Sequence, residues 1–210
     1  MESCFDAFVI CDNSNYNFEG FNSIRALAEE NGKGIETLSF VGNKEKMIEK
    51  GKSYGEGENI EYAIKNSIIL KETDYFFKMS GRYFLINNYD ILKRIDFNYC
   101  YFSPWDYKFK EVRGIDNVFF AMKKSLFISL LAGENEKADN INGYGYEHIL
   151  YDCIKNKFLI NDWKYMPLSP QYDVSIQAST GIVPQYKWYK EVVKNIVLRG
   201  LDFLRFTKSV

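Results

Sequence analysis

Residues 51–85 read GKSYGEGENIEYAIKNSIILKETDYFFKMSGRYFL, and this stretch constrains the fold more than any other. Ile60, Ala63, Ile64, Ser67, Ile68 and Leu70 recur at the spacing of one face of a 3.6-residue helix. Ser53, Tyr54, Gly55 and Gly57 precede them and read as a glycine-hinged loop, where unpaired N–H groups gather at a helix start. Asp74 to Met79 follows, dense in aromatic side chains, as a buried strand. Ser80-Gly81-Arg82 then makes a polar turn at the strand's end. Strand ends that face a helix N-terminus are where open α/β sheets hold anionic ligands, so this turn is the first candidate site.

The rest of the chain repeats the alternation. Phe5 to Cys11 (FDAFVIC) suits a buried parallel strand and ends in the turn cluster Asp12-Asn13-Ser14-Asn15. A helix is expected over Phe21 to Asn31, with Ile24, Leu27 and Ala28 inward and Gly32 as its stop. Ile35 to Val41 reads as a second strand and Lys44 to Lys52 as a charged connection. Beyond Arg82 come a short strand over Tyr83 to Ile86 and a helical turn over Tyr89 to Arg94. Tyr99 to Phe102 and Asn117 to Lys123 read as strands around a loop holding Trp105, Asp106, Arg113 and Asp116. Lys124 to Ala132 and Gly145 to Asn156 read as helices, separated by a polar, mobile loop, GENEKADNING. Phe158 to Tyr165 suggests a last strand and Pro167 to Pro184 an irregular segment. This order argues for an α/β fold: a mixed, mainly parallel sheet flanked by helices.

Charge and composition remove several classes. With 27 basic and 28 acidic residues there is no global field for nucleic acid, and none is expected as a partner. One histidine and four scattered cysteines offer no paired metal-ligand spacing; Cys4, Cys11, Cys100 and Cys153 read as reduced, structural thiols. No apolar run is long enough for a spanning helix. A cytoplasmic protein is expected, free or at the inner face of the cell membrane. Trp188 to Phe206 is an amphipathic basic helix in which Val192, Val193, Ile196, Val197, Leu201 and Leu204 alternate with Lys190, Lys194, Arg199 and Arg205. Such a helix packs on the body of the protein or lies on an anionic membrane surface.

FDAFVICDNSN, then GEGENIEYAI, then YFFKMSGRYF, in this order and spacing, resemble the nucleotide-sugar half of GT-A glycosyltransferases, and KGKSYGEGE followed by FFKMSGRYF resembles small bacterial enzymes of surface-polysaccharide assembly. The resemblance covers roughly residues 5 to 155. It implies one catalytic domain over 1–187, with a nucleotide-sugar half (1–86) and an acceptor half (87–187), followed by the helix 188–210. It also implies transfer of a sugar from a nucleotide-diphosphate donor, UDP-sugar favoured, to a saccharide or lipid-linked acceptor of capsule or O-antigen assembly. Two departures stand out. Only four residues precede the first matching strand, whereas the family has another strand and helix there, so the fold is expected to be N-terminally truncated with an exposed sheet flank. The family's DxD, which holds a divalent cation (Mn or Mg) against the diphosphate, is absent; Lys78-Met79-Ser80-Gly81-Arg82 stands in its place.

The site residues follow from the same comparison. Asp12 matches the acid that contacts the nucleobase, and Lys52 and Gly55 match the loop near the diphosphate. Ser80, Gly81 and Arg82 replace the metal site, Arg82 by a charge-assisted contact to the leaving group; no metal ligand is assigned. For the acceptor side, GYGYEHILYD is similar to the segment that carries the catalytic carboxylate. Glu147 is expected to be the general base of an inverting transfer, with His148 in support. The competing readings are a helix N-terminal acid for Glu147 and a partner of Asp152 for His148. Trp105 and Asp106 are candidates for stacking on and hydrogen-bonding an acceptor sugar. The reading from another class is a non-catalytic binding or assembly protein on a degenerate fold of this type.

Overall fold

β1 (Ala7–Asp12) returns through α1 (Asn22–Glu30) to β2 (Gly34–Ser39), and the two strands pair in parallel from Ala7 opposite Gly34 to Asp12 opposite Ser39. The structure, a computed structural model, describes residues 5–81, 83–108, 111–173 and 193–201, and the backbone alone at 106–108, 111 and 173. Ile24 and Leu27, expected inward, are 45% and 59% exposed. The stripe turned inward is Phe21, Arg25 and Ala28, at i, i+4 and i+7, all half-buried. Arg25 Nη2 donates to Thr37 Oγ1 at 2.5 Å and so holds the helix on β2.

The charged connection is itself a helix, α2 (Lys44–Lys50), because the Asn43 side chain accepts from the Lys46 N–H at 3.0 Å and caps it. Gly51, at φ 87°, ends α2 and lets α3 (Lys52–Asn66) begin at once. Ser53 to Gly57 therefore lie inside a helix and not in a loop. The glycines are there for close approach. A Cβ at Gly55 would stand 2.8 Å from Met47 Sδ, and one at Gly57 would stand 2.4 Å from Asn135 Cβ.

The expected helical face also breaks early. Ser67 caps a separate turn, α4 (Ile68–Lys71), by accepting from the Leu70 N–H at 2.9 Å. Glu36, on β2, takes the Ser67 hydroxyl at 2.5 Å and the N–H groups of Ile68 at 2.9 Å and Ile69 at 3.1 Å. Burial pushes this carboxyl up, but those donors outweigh it and hold it below its ordinary value of 4.5. A depressed acid contributes stability that is present above the ordinary value and is lost as pH falls through the folded one. Glu36→Ala is expected to cost about 1.5–3 kcal/mol at pH 7 in chemical denaturation, with a smaller difference from the native protein at pH 3. An equal difference at both pH values would remove the charge from this role.

The chain continues through β3 (Tyr75–Met79), β4 (Phe84–Leu85), α5 (Asn88–Leu92), β5 (Cys100–Phe102), β6 (Pro104–Lys108), β7 (Glu111–Ile115) and β8 (Phe119–Lys123). Then follow α6 (Lys124–Leu130), α7 (Tyr146–Lys157), β9 (Trp163–Tyr165) and β10 (Tyr172–Asp173). The stretch expected to be a loop between two strands is the hairpin β6–β7, antiparallel with a bulge after Pro104. The largest sheet has the order β3-β8-β5-β9, with β9 parallel and β8 antiparallel to β5. The protein is thus mixed α/β, and among the described residues its sheets are less parallel than expected.

Two compact units emerge, Met1–Phe76 with Lys124–Ile149, and Phe77–Lys123 with Leu150–Val210. In the first, Phe127, Leu131, Tyr146 and Ile149 are fully buried; in the second, Phe102, Phe119, Phe120, Met122 and Leu150 are. The expected mobile loop is packed in the first unit. Gly133 N–H donates to Glu61 Oε1 at 2.7 Å, Ser53 N–H donates to Asn140 Oδ1 at 3.0 Å, and Asn135 is buried. In the second, residues 193–201 are helical, with Leu198 buried and Asn195 Oδ1 accepting from Ser169 N–H at 2.6 Å.

Candidate functional site

In the first unit, the turn after β1 is built by Asp12 itself. Its Oδ1 accepts from Ser14 N–H at 2.8 Å, Ser14 Oγ–H at 2.6 Å and Tyr16 N–H at 3.2 Å. Burial raises its carboxyl, and the bonds from Ser14 and Tyr16 more than reverse this, holding it below the ordinary range. Oδ1 is thereby committed to the turn, and Oδ2 takes none of these bonds. The neighbour Asn13, which the sequence did not single out, joins the turn to α3: its Nδ2 donates to Gly55 O and to Glu58 Oε2, each at 3.3 Å. Asp12 and Gly55 are brought together through that side chain. Lys52 is the exposed first residue of α3. The turn also leads into an aromatic group, Tyr16, Phe18 and Phe21, with ring centroids 5.0 and 5.1 Å apart along the chain.

Glu147 and His148 lie in the first turn of α7, both half-buried. The glycine before them fixes their geometry. A Cβ at Gly145 would stand 2.7 Å from Glu147 Oε2, so the carboxylate folds back over that residue. Gly145 N–H donates to His148 Nδ1 at 3.1 Å, which makes Nδ1 an acceptor and leaves Nε2 to carry the proton of the neutral ring. Tyr144 stacks on the imidazole with centroids 5.7 Å apart. Both the base and the helix-acid readings of Glu147 fit this arrangement.

In the second unit, Ser80 and Gly81 form a turn at the carboxyl end of β3. Tyr83 N–H closes it on Ser80 O at 3.2 Å, and Ser80 N–H anchors it to Val118 O at 2.8 Å. Nothing among the described residues lies within 4 Å of a Cβ placed on Gly81. Arg82 lies outside the described residues. Trp105 sits at the bulge of the hairpin and is 55% exposed; Asp106 is on the same strand, and its side chain lies outside the described ones.

Beside this turn is a residue that the sequence placed only in a loop. Asp116 accepts from Val118 N–H at 2.9 Å and from Tyr172 Oη–H at 3.1 Å, and its own N–H donates to Ser103 O at 2.7 Å. Burial pushes its carboxyl above the ordinary value, against the opposing pull of those two donors, Lys78 and Lys194. Lys78, on β3, donates to Asn117 O. Asp116 and Tyr172 are 56 residues apart, and no local pattern links them.

A surface cavity of about 370 Å³ in the first unit is lined by Glu49, Lys50, Glu136, Lys137, Ala138 and Asp139, and so includes none of the residues named from sequence. Among the described residues, no group of three or more His, Cys, Asp or Glu side chains is placed to hold a metal ion. Burial and then the Asp12 charge push the Cys11 thiol up to about 11, and burial takes Cys100 to about 11, so neither is a ready nucleophile. Among the described residues no helix is long and apolar enough to cross a membrane. No protein-family model matches the chain, and no curated protein or solved structure matches it.

Proposed function

We propose that this protein is a glycosyltransferase of GT-A type that moves a sugar from a nucleotide-diphosphate donor, UDP-sugar favoured, to a saccharide or lipid-linked acceptor in bacterial surface-polysaccharide assembly. The observation that carries the reading is the turn at the end of β3: it is anchored by backbone bonds, and no described residue lies within 4 Å of a Cβ placed on Gly81. A glycine with room beside it lets a ligand approach the main chain, and no described side chain fills that room. Ser80, Gly81 and Arg82 would hold the departing diphosphate, Asp12, Lys52 and Gly55 would serve the nucleotide, and Glu147 would take the acceptor proton. With Arg82 in place of DxD, the leaving group is stabilised without a DxD-bound metal. The protein would work on the cytoplasmic side, with the exposed Val193 (54%) and Ile196 (65%) of the C-terminal helix, flanked by Lys194 and Arg199, resting on an anionic membrane surface.

Gly81→Ala separates this reading from a purely structural one. The substitution meets no described neighbour, so stability should change by no more than about 0.5 kcal/mol. Nucleoside-diphosphate binding by calorimetry should weaken by about tenfold or more, as the methyl fills the approach path. Unchanged affinity would remove the turn from the donor site, and no nucleotide binding in the native protein would favour a non-catalytic binding protein.

A further inference from the structure

The second unit collects groups at Asp116 that the proposed donor chemistry does not use. The carboxylate keeps acceptor capacity beyond the two bonds from Val118 N–H and Tyr172 Oη–H, since its two oxygens offer about four lone-pair sites. Tyr172 lies against Tyr83, with ring centroids 5.4 Å apart and planes tilted by 48°. Ser103, whose carbonyl receives the Asp116 N–H, is 5% exposed, and its Oγ has no hydrogen-bond partner among the described residues. A buried hydroxyl without a partner is uncommon in a native protein and calls for a cause. Pro104, the next residue, is the ladder partner of Ile115, the residue before Asp116; the bulge that follows carries the exposed Trp105. Asp116, Tyr172 and Ser103 thus meet at the base of the hairpin, the Ser103 hydroxyl without a partner among the described residues, and the exposed Trp105 follows two residues along the chain from Ser103.

Charge decides what such a corner accepts. An anion would meet the Asp116 carboxylate, and a divalent cation would meet Lys78 and Lys194, both of which act on that carboxylate. A neutral polyol is repelled by neither: its hydroxyls donate to the carboxylate and its C–H face lies on an aromatic ring. We infer that Asp116, Tyr172 and Trp105 form a saccharide-binding subsite, with Asp116 receiving sugar hydroxyls and Trp105 stacking on the ring. The subsite deepens the transferase reading, rests on it for its place in the reaction, and would hold the acceptor sugar.

Saturation-transfer NMR on the full chain with a panel of methyl glycosides (glucoside, galactoside, N-acetylglucosaminide and rhamnoside) tests it. At least one glycoside should show transfer with the native protein. Trp105→Ala should abolish the signal and Trp105→Phe should keep part of it. Asp116→Asn should weaken affinity by about tenfold or more, as expected for loss of a charged acceptor. Tyr172→Phe should weaken it by less. Trp105 is exposed, so its variants keep the test decisive even if Asp116→Asn does not fold. No transfer to any glycoside from the native protein, or Trp105→Ala and Asp116→Asn binding as the native protein does, would overturn the subsite. UDP-induced thermal stabilisation, measured in parallel, separates the two claims. Glycoside binding without a nucleotide effect keeps the subsite and removes the transferase, and a nucleotide effect without glycoside binding does the reverse.

Discussion

Glu147→Gln is expected to lower sugar transfer by about 10²–10⁴-fold, the usual worth of a general base, while nucleotide binding stays as in the native protein. The competing role, a helix N-terminal acid, involves much smaller energies: loss of its interaction with the helix dipole costs about 0.3–1 kcal/mol of stability and does not touch the chemical step. Glutamine keeps the size and an acceptor oxygen in the position where the carboxylate folds back over Gly145, so the first turn of α7 is preserved. His148 stays oriented by the Gly145 N–H, which does not involve Glu147. A rate measured with saturating donor therefore distinguishes the two roles by orders of magnitude. Turnover within a few-fold of the native protein would take Glu147 out of the mechanism.

Gly57→Ala is expected to destabilise the protein by about 2 kcal/mol, although alanine is the better helix former by about 0.8–1 kcal/mol. The new methyl would stand 2.4 Å from Asn135 Cβ and 3.0 Å from Tyr146 Cε2. Carbon atoms at rest lie about 3.5–4.0 Å apart, so a shift of more than an ångström is required. Both neighbours are buried, and Asn135 also donates to Tyr54 O at 3.4 Å, so neither side chain has an easy way out. For a chain of this length the loss corresponds to a fall of about 4–8 °C in Tm. Gly20→Ala, with no described residue within 4 Å, is the control and should leave Tm unchanged. A Tm for Gly57→Ala at or above the native value would show that α3 has room there.

The same glycine shows what a sequence does not display. The spans of α1 and β3 are legible in the sequence to within a residue or two, whereas the apolar period from Ile60 to Leu70 marks only the later part of α3 and runs on across the break at Ser67. Gly55 and Gly57 look like loop residues in the sequence, since a glycine's use for close helix packing depends on partners such as Asn13 and Asn135 far along the chain. The charged run after Gly42 looks like a connection because its cap, Asn43, is one residue with no apolar face behind it to signal α2. Hydrophobicity alone points Ile24 and Leu27 inward, while the inward stripe runs through Arg25 and its bond to Thr37. Of the candidate site, the Ser80-Gly81 turn and Glu147 were legible as a strand end and a helix start. Asp116 was not, because its partners Tyr172, Lys78 and Ser103 are joined only by the fold.

Thermal stabilisation by UDP, with GDP and CMP in parallel and with EDTA or manganese added, tests the transferase reading most directly. A nucleoside diphosphate at 100 times its Kd should stabilise the native protein by about 2.7 kcal/mol. The expected result is a rise in Tm with UDP that persists in EDTA. No shift with any nucleotide, under either condition, would contradict the transferase reading, and a shift that vanishes in EDTA and returns with manganese would contradict the role given to Arg82.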